Sequence, residues 1–125
     1  MENRCFFYRA QVLEVYDGDT ITVDIDLGFS MVLKKHKVRL YGIDTAEIKG
    51  KDESLKKKAK EARDWLREAC LGKSVYLDSR GADKYGRWLG NIFTQDGICL
   101  NEELVRLGYA VSYDGGKKNQ ELLKD

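Results

Sequence analysis

The chain has 125 residues, of which 42% are hydrophobic and 34% charged, so its length and composition suit one domain with a hydrophobic core. Its formal net charge of +1 provides no overall attraction to a polyanion, so a nucleic-acid ligand would have to be held by a local arrangement of Lys and Arg. No apolar run approaches the length of a membrane-spanning helix, and residues 1–10 lack the pattern of a secretory signal peptide.

The three cysteines, Cys5, Cys70 and Cys99, lie far apart in the sequence. An odd number at these spacings predicts neither a disulfide framework nor a CxxC metal pair. We therefore expect reduced thiols and a cytoplasmic location, with secretion as the alternative if an exported leader has been removed.

The first half of the chain has the pattern of three antiparallel strands. Residues 6–16, FFYRAQVLEVY, are rich in aromatic and branched side chains, and DGD ends this segment. Residues 21–27, ITVDIDL, alternate strictly between apolar and polar side chains. After a turn at GFS, residues 30–43 predict a third and longer strand, with KKHK as the place where it would be interrupted.

Two segments of the second half have helical spacing. Residues 53–71 repeat apolar side chains at intervals of three and four, with Asp52 as the predicted N-cap and Gly72 as the residue that ends the helix. A shorter helix is predicted at about 101–107, with Asn101 as its cap.

Two further strands and a tail complete the predicted order of elements. The strands are residues 74–79, SVYLDS, and residues 87–94, RWLGNIFT, and the tail at about 114–125 predicts a short extension or a third helix. Five short strands with a helix between the third and the fourth is the order of an OB-fold. We therefore predict a single domain over residues 1–125, α+β and mainly β, with a five-stranded OB-fold Greek-key barrel and about three α-helices. Its barrel strands and first helix occupy about 6–94, and another α+β sheet is the alternative.

Two acidic clusters follow predicted strands and are candidates for a metal site. The first contains Asp17 and Asp19 in YDGDT, and the second contains Asp44, Thr45 and Glu47 in RLYGIDTAE. Carboxylate and carbonyl oxygens are the ligands that hard cations such as Ca²⁺ prefer. For DGD alone an ordinary hairpin turn is the favoured interpretation, and the second cluster shifts the balance toward a site.

Two arginines are candidates for binding an anion. Arg39 and Arg87 each carry a guanidinium that matches phosphate oxygens in pairs, with surface ion pairs as the alternative. Arg39 lies within an apolar strand, and a buried arginine needs a partner. Glu47 is the candidate base or water-orienting group, because the chain has a single histidine, His36, in a predicted solvated segment.

The remaining aromatic side chains give weaker signals. Trp65 and Trp88 are expected in the core rather than on a base-stacking surface. Tyr113, beside an Asp-Gly-Gly break, is a candidate for stacking on a ligand, with ordinary packing as the alternative.

Three motifs occur in a distinctive order, namely DGDTITV, then RLYGIDTAE, then DKYGRWLGNIF. Together they resemble the staphylococcal nuclease (thermonuclease) family, and the resemblance extends from about Val12 to about Val111. It implies an OB-fold phosphodiesterase that uses one Ca²⁺ ion, cleaves DNA and RNA, and leaves 3′-phosphate ends. The expected substrate is single-stranded or locally opened nucleic acid, and the expected state is a monomer.

The resemblance also implies roles for the acidic clusters. Asp19 and Asp44 match metal-binding carboxylates of the family, and Thr45 matches a residue whose backbone carbonyl binds the ion. Asp17 and Thr20 match positions that line or support the metal pocket.

The same comparison implies roles in binding phosphate. Arg39 and Arg87 match two arginines that hold the phosphate, and Glu47 matches the acid that activates or orients water. Lys84 and Tyr85 match residues that contact a terminal phosphate and nucleotide. Arg87 and its neighbours belong to the motif DKYGR, in which Asp83 is expected to support the loop.

The chain departs from the family pattern at several places. Ala46 stands where the family commonly has Pro, and the segment between DGDT and Arg39 is longer than usual, so we expect a protruding hairpin at about residues 26–37. The alternative functions are a non-catalytic OB-fold module that binds nucleic acid and a protein-interaction module that uses this hairpin.

Overall fold

The computed structural model describes residues 6–46 and 52–113, and over these ranges the chain folds into a closed β-barrel with a helix against it. The elements are β1 (Phe7–Asp17), β2 (Thr20–Gly28), β3 (Met31–Leu40), β4 (Ile43–Thr45), α1 (Glu53–Cys70), β5 (Ser74–Ala82), β6 (Trp88–Phe93), α2 (Leu100–Arg106) and β7 (Ala110–Ser112). The barrel order is β1–β2–β3–β6–β5, and β4 and β7 form a separate two-stranded sheet. The predicted class, α+β and mainly β with a five-stranded OB-type barrel, is confirmed.

The barrel interior follows from the alternating pattern of the strands. In β2, Ile21, Val23 and Ile25 are buried, while the side chains between them lie on the outer face. β3 and β6 run parallel and close the barrel, with Arg39 aligned to Leu89. The outer face of β2, β3 and β6 is therefore a continuous surface.

The α1 helix covers one end of the core. The Asp52 carboxylate accepts hydrogen bonds from the backbone N–H groups of Ser54 and Leu55, which confirms the predicted N-cap. The buried face of the helix comprises Ala59, Ala62, Leu66 and Cys70. Apolar side chains at this spacing form the stripe that packs against the barrel.

Two of the three cysteines lie in the described ranges, and neither is part of a disulfide there. Cys70 is fully buried in α1, and burial raises the pKa of its thiol to about 12, with Lys73 only partly offsetting this. Burial likewise raises the pKa of Cys99. Both groups are therefore protonated at neutral pH, and Cys70 packs as an apolar side chain.

The predicted third strand is wrong at its C-terminal end. β3 ends at Leu40, and Gly42 adopts a left-handed backbone with φ 78° that breaks the extended conformation. The chain then enters β4, which leaves the barrel and pairs with β7. This break is the reason that the acids after Gly42 lie on a different sheet from Arg39.

Asn101 is not the cap of α2, so that prediction is also wrong. The N-cap residue is Cys99, and Asn101 lies buried inside the helix. Its amide donates to the carbonyls of Tyr41 and Gly90 at 2.9 and 3.1 Å and accepts from the Ile92 N–H at 3.0 Å. The side chain thus joins the end of β3 to β6. These three hydrogen bonds take the place of the single bond that it would make as an N-cap.

The two tryptophans lie in different environments. Trp65 is half-buried and packs against the core, where its ring is 6.3 Å from that of Tyr109. Trp88 is 37% exposed at the start of β6 and lies against the His36 ring at 5.8 Å. The prediction of a core position is therefore wrong for Trp88, whose side chain is partly exposed to solvent.

The β2–β3 hairpin extends beyond the barrel and ends in a strained turn. Gly28 pairs with Met31, so Phe29 and Ser30 form a two-residue turn with φ values of 54° and 63°. A type I′ turn requires positive φ at both central positions, where Asn and Gly are comfortable and larger side chains are not. Phe29 is nevertheless there, and it is 100% exposed.

Phe29→Asn is expected to raise the free energy of unfolding by about 1 kcal/mol, because Asn tolerates the left-handed conformation and no buried contact is lost. Urea unfolding followed by circular dichroism measures the change. A loss of stability on this substitution would contradict the strained geometry of the turn.

The helices described here include none that is long and apolar enough to span a membrane. The predicted third helix at about 114–125 lies outside the described residues.

Candidate active site

Asp19 lies in the sharp turn between β1 and β2, where Gly18 permits close packing. A Cβ at Gly18 would lie 2.7 Å from the Cβ of Ala62 in α1, so the glycine lets the turn approach the helix. Asp19 is buried, the Thr20 hydroxyl donates to its Oδ1 at 3.1 Å, and the Thr45 N–H donates to its Oδ2 at 3.2 Å. These bonds fix the orientation of the carboxylate and link it to β4.

Asp44 and Thr45 are carried by β4, opposite Val111 and Ala110 of β7. Asp44 is 0% exposed and Thr45 is 1% exposed. Removing a carboxylate from water is costly unless a cation or several donors compensate it. The burial of Asp44 therefore requires a positively charged neighbour.

Arg39 provides that neighbour and links both acids. Its Nη2 lies 3.1 Å from Asp44 Oδ1 and 3.4 Å from Asp19 Oδ2. Its Nη1 donates to the carbonyls of Leu40 and Ile43, each at 2.9 Å. The partner that a buried arginine needs is thus a pair of carboxylates together with two backbone carbonyls. We call Arg39, Asp19 and Asp44 the buried charge cluster.

The buried charge cluster offers two carboxylates as oxygen ligands to a cation. Its two carboxylates carry one more negative charge than Arg39 neutralises, and carboxylate oxygens are ligands that Ca²⁺ and Mg²⁺ prefer. Within residues 6–46 and 52–113, no group of three or more His, Cys, Asp and Glu side chains is arranged for a metal. An ion at this place would therefore use Asp19, Asp44 and backbone or water oxygens, and the Thr45 carbonyl is the adjacent candidate.

The loop of residues 83–87 is organised by one carboxylate. Asp83 Oδ1 accepts the N–H groups of Tyr85 and Arg87, each at 2.9 Å, and Asp83 Oδ2 accepts from Arg87 Nε at 2.7 Å. Burial raises the pKa of Asp83, but these hydrogen bonds and the Arg87 charge lower it further, so the net pKa is below its ordinary value of 3.8. The carboxylate is ionised at neutral pH and holds both the loop and the guanidinium.

Asp83→Asn is expected to flatten the acid limb of the stability profile. The stabilisation from a carboxylate with a lowered folded pKa is present above its unfolded pKa and is lost as the pH falls through the folded pKa. Between about pH 5 and pH 3 the wild type should therefore lose more stability than the variant, as measured by urea unfolding. Asp96→Asn, at an exposed turn, is the matched control, and an identical acid limb for all three proteins would contradict the assigned role of Asp83.

The same loop presents a tyrosine between two cations. Tyr85 is 74% exposed, and its ring centroid lies 5.5 Å from Lys84 Nζ and 5.7 Å from Arg87 Cζ. The Arg87 Nη atoms make no hydrogen bond to any described residue, because only Nε is used by Asp83. The loop therefore offers an aromatic face, an ammonium and two guanidinium nitrogens to a ligand.

The loop and the buried charge cluster lie on the same side of the barrel. Arg87 directly precedes β6, two residues before Leu89, and Leu89 is aligned with Arg39 in β3. Side chains two residues apart along an extended chain point to the same face. The two arginines therefore flank one surface, as a pair of phosphate-binding groups would.

The structure brings most of the sequence-predicted residues to this surface. Tyr113 packs over Arg39, with 5.7 Å between its ring centroid and Cζ, and its N–H donates to the Gly42 carbonyl at 2.8 Å. Thr20 supports Asp19, and Asp17 pairs with Thr20 at the end of β1. The predicted water-orienting acid, Glu47, lies outside the described residues.

Two residues that lie beside this surface, Asn101 and Lys37, were not selected as site residues from the sequence. Asn101 joins the strands that carry the two arginines, and its position near a helix start favoured a cap instead. Lys37 precedes Arg39 by two residues on the same face, and its Nζ lies 6.0 Å from the centroid of the exposed Tyr16 ring. The period-two spacing of Lys37 and Arg39 was the signal that could have identified this pair.

A family model described as "Staphylococcal nuclease homologue" matches residues 37–125. The chain is 34% identical over 114 residues to endonuclease YhcR of Bacillus subtilis (strain 168), an alignment that covers 85% of this chain and 9% of that protein. It is 32% identical over 110 residues to an uncharacterized endonuclease of Escherichia coli O157:H7, covering 88% of this chain and 64% of the relative.

A thermonuclease of Staphylococcus hyicus is also similar, at 32% identity over 102 residues, which covers 80% of this chain and 56% of that protein. The chain thus spans less than two thirds of the length of these relatives, and only about a tenth of the Bacillus protein.

Proposed function

Since the chain belongs to the staphylococcal nuclease homologue family, we propose that it is a metal-dependent nuclease that hydrolyses phosphodiester bonds in DNA, RNA or both. The observation that carries the proposal is the buried charge cluster beside a second arginine, Arg87, on one face of the barrel. The cluster is unlike one retained for stability alone, because the Coulombic attraction in a buried ion pair often does not exceed the free-energy cost of removing both charges from water.

We assign one Ca²⁺ ion to Asp19, Asp44 and the backbone carbonyl of Thr45. The support is the donor set, since two buried carboxylates beside a strand carbonyl are hard oxygen ligands. Bound there, the ion would supply positive charge against the negative charge of the phosphate. The Thr20 hydroxyl and the Thr45 N–H hold Asp19 in place for this role.

The arginines are proposed to stabilise the negative charge that develops on the phosphate oxygens. Asp83 holds Arg87 through Nε, which leaves its two Nη atoms to donate to the oxygens of a bound phosphate. Arg39 contributes from the cluster side, where two carbonyls fix its Nη1. Fixed donors need no rearrangement as charge builds up, and this preorganisation favours the transition state over the bound substrate.

Glu47 is proposed to orient the attacking water and to accept its proton. The water oxygen forms a bond to phosphorus, the bond from phosphorus to the 5′ oxygen breaks, and that oxygen takes a proton from solvent water and departs as a 5′-hydroxyl. The other product then ends in a 3′-phosphate. Lys84, Tyr85 and Tyr113 hold the adjoining nucleotide, and an exposed aromatic face suits an unstacked base of a single-stranded or locally opened substrate.

The test is hydrolysis of denatured DNA by the protein in millimolar Ca²⁺, with and without a chelator. We expect cleavage that the chelator abolishes, new 5′-hydroxyl ends that accept a labelled phosphate from a polynucleotide kinase, and a loss of about 10³-fold in rate for Glu47→Gln. Glu61→Gln, on the exposed face of α1, is the matched control and should leave the rate unchanged.

Cleavage that persists in chelator, or that is undiminished in Glu47→Gln, would refute this mechanism. Binding of oligonucleotides without any cleavage in Ca²⁺ would favour the alternative of a non-catalytic OB-fold module.

A further inference from the structure

The tip of the β2–β3 hairpin carries four exposed apolar side chains within six residues. Leu27 is 40% exposed, Phe29 100%, Met31 59% and Val32 47%, and we call these four residues the apex. None of them belongs to the core cluster of the described chain. Scattered apolar residues are ordinary on a protein surface, but four together on one projecting turn mark a contact surface.

The backbone conformation of the apex shows that its residues are not the most stable ones for this turn. Phe29 and Ser30 both have positive φ, at a place where Asn-Gly would be unstrained. Residues that are unfavourable for their own backbone conformation occur mostly at functional positions, where the function compensates for the lost stability. The consequence of the strained turn is that the Phe29 ring projects fully into solvent.

Basic side chains follow the apex along β3. Lys34 and Lys35 lie at an irregularity in the β2–β3 pairing, and Lys37 lies further along the same strand. The two acids of the hairpin are engaged locally, because Asp26 accepts the Gly28 N–H and Asp24 accepts the Lys35 N–H. Asp24 also lies 3.7 Å from the Lys34 ammonium, which is 72% exposed. The hairpin thus presents lysines to a polyanion behind an apolar tip.

The hairpin is continuous with the proposed catalytic surface. β3 begins at Met31 beside the apex and reaches Arg39 eight residues later. At roughly 3.3 Å per residue, the eight residues from Met31 to Arg39 span at most about 26 Å, because the irregularity at Lys34 and Lys35 shortens the strand. This length corresponds to no more than about eight base steps of nucleic acid. A substrate bound at Arg39 therefore extends within reach of the apex.

We propose that the β2–β3 hairpin is a binding arm for double-stranded nucleic acid, in which Phe29 inserts at a base step and the lysines contact phosphates. Apolar wedges at the tips of DNA-binding elements unstack base steps in this way, and basic residues beside them hold the backbone. Opening the duplex near the site would deliver a single strand to Arg39 and Arg87. This inference rests on the proposed function, and it names double-stranded nucleic acid as a substrate class.

The test uses a duplex that carries 2-aminopurine, whose fluorescence rises when the base unstacks, in a chelator so that binding is read without cleavage. The wild type should raise the fluorescence, and Phe29→Asn should weaken binding about tenfold and abolish the rise. Since Asn suits the turn, this variant is expected to fold at least as well as the wild type. Ile98→Asn is the matched control, because Ile98 is 48% exposed beyond the far end of β6.

A second variant tests the lysines. Lys34→Gln combined with Lys35→Gln should reduce the slope of log Kd against log salt by about 2, since each phosphate contact contributes about 0.9. Lys57→Gln combined with Lys60→Gln, on the exposed face of α1, is the control and should change the slope little.

Cleavage assays separate this inference from the proposed function. Loss of duplex cleavage in Phe29→Asn, with denatured DNA cleaved at the wild-type rate, supports the arm. Equal cleavage of both substrates, with an undiminished 2-aminopurine signal, overturns the arm and leaves the nuclease intact. If the wild type cleaves neither DNA nor RNA in Ca²⁺, the proposed function fails, and the fluorescence alone decides whether the arm binds a duplex. Phe29-dependent sedimentation with anionic vesicles, without a duplex signal, overturns it in favour of a lipid surface.

Discussion

Arg87→Ala is expected to lower kcat for nucleic-acid hydrolysis by about 10²–10³-fold, with a smaller change in KM. The Nε of Arg87 is held by Asp83 at 2.7 Å, and its Nη atoms make no bond to any residue of the described ranges. A donor held ready in this way contributes most when negative charge builds up on the phosphate oxygens, so its removal raises the barrier more than it weakens substrate binding. Steady-state kinetics on a short oligonucleotide in Ca²⁺ measures both parameters.

Two further variants test whether Arg87 acts through paired hydrogen bonds and whether Asp83 positions it. Arg87→Lys should restore little activity, because an ammonium cannot donate two parallel bonds to phosphate. Asp83→Asn should give an intermediate loss, since it acts by positioning Arg87, and its effect should fall on kcat. A rise in KM alone for Arg87→Ala would contradict the assigned role and would indicate simple substrate binding.

Arg39→Met is expected to destabilise the protein by about 3–5 kcal/mol in a chelator. The substitution leaves Asp44 and Asp19 buried without their guanidinium and removes the donors to the carbonyls of Leu40 and Ile43. An uncompensated buried charge costs far more than an exposed one. Urea unfolding at neutral pH measures the loss.

A double-mutant cycle with Asp44→Asn tests the cause. The double variant Arg39→Met/Asp44→Asn should lose less free energy of unfolding than the two single variants lose together. The second substitution removes the buried carboxylate charge that the first substitution leaves without its guanidinium. Arg63→Met is the control, since the Arg63–Asp64 ion pair is near the surface and should contribute less than about 1 kcal/mol. Added Ca²⁺ should recover part of the stability of Arg39→Met, and a loss of less than 1 kcal/mol would contradict the cluster.

The elements with strong local signals were predictable from the sequence. The strict alternation of ITVDIDL gives β2 its buried face, and Asp52 caps α1 as its position indicates. Local chemistry decides both features, so no knowledge of distant partners is needed.

The elements set by tertiary contacts were not predictable in the same way. The break at Gly42 and the pairing of β4 with β7 depend on a partner that lies far along the chain. Asn101 binds Tyr41, Gly90 and Ile92 instead of capping a helix, and no local pattern identifies those partners. Sequence patterns record the period of a segment and not which segment lies opposite it.

In the candidate site, the sequence likewise predicts which residues take part but not how they are arranged in space. Residue types and motif order were enough to select Asp19, Asp44, Arg39 and Arg87 as participants. The strand register is what reveals that Arg39 is already bonded to both acids and that Arg87 stands on the same face. The full exposure of the Phe29 ring could not be predicted either, because the segment GFS has the pattern of an ordinary turn.

The pairing of β4 with β7 also governs when the site forms during synthesis. Asp44 leaves the ribosome long before its strand partner Val111, and at about 5–20 residues per second the interval lasts several seconds. Until β7 emerges, β4 lacks the strand with which it pairs in the described ranges. A nascent chain from which β7 has not yet emerged therefore lacks the two-stranded sheet that carries Asp44 in the finished fold.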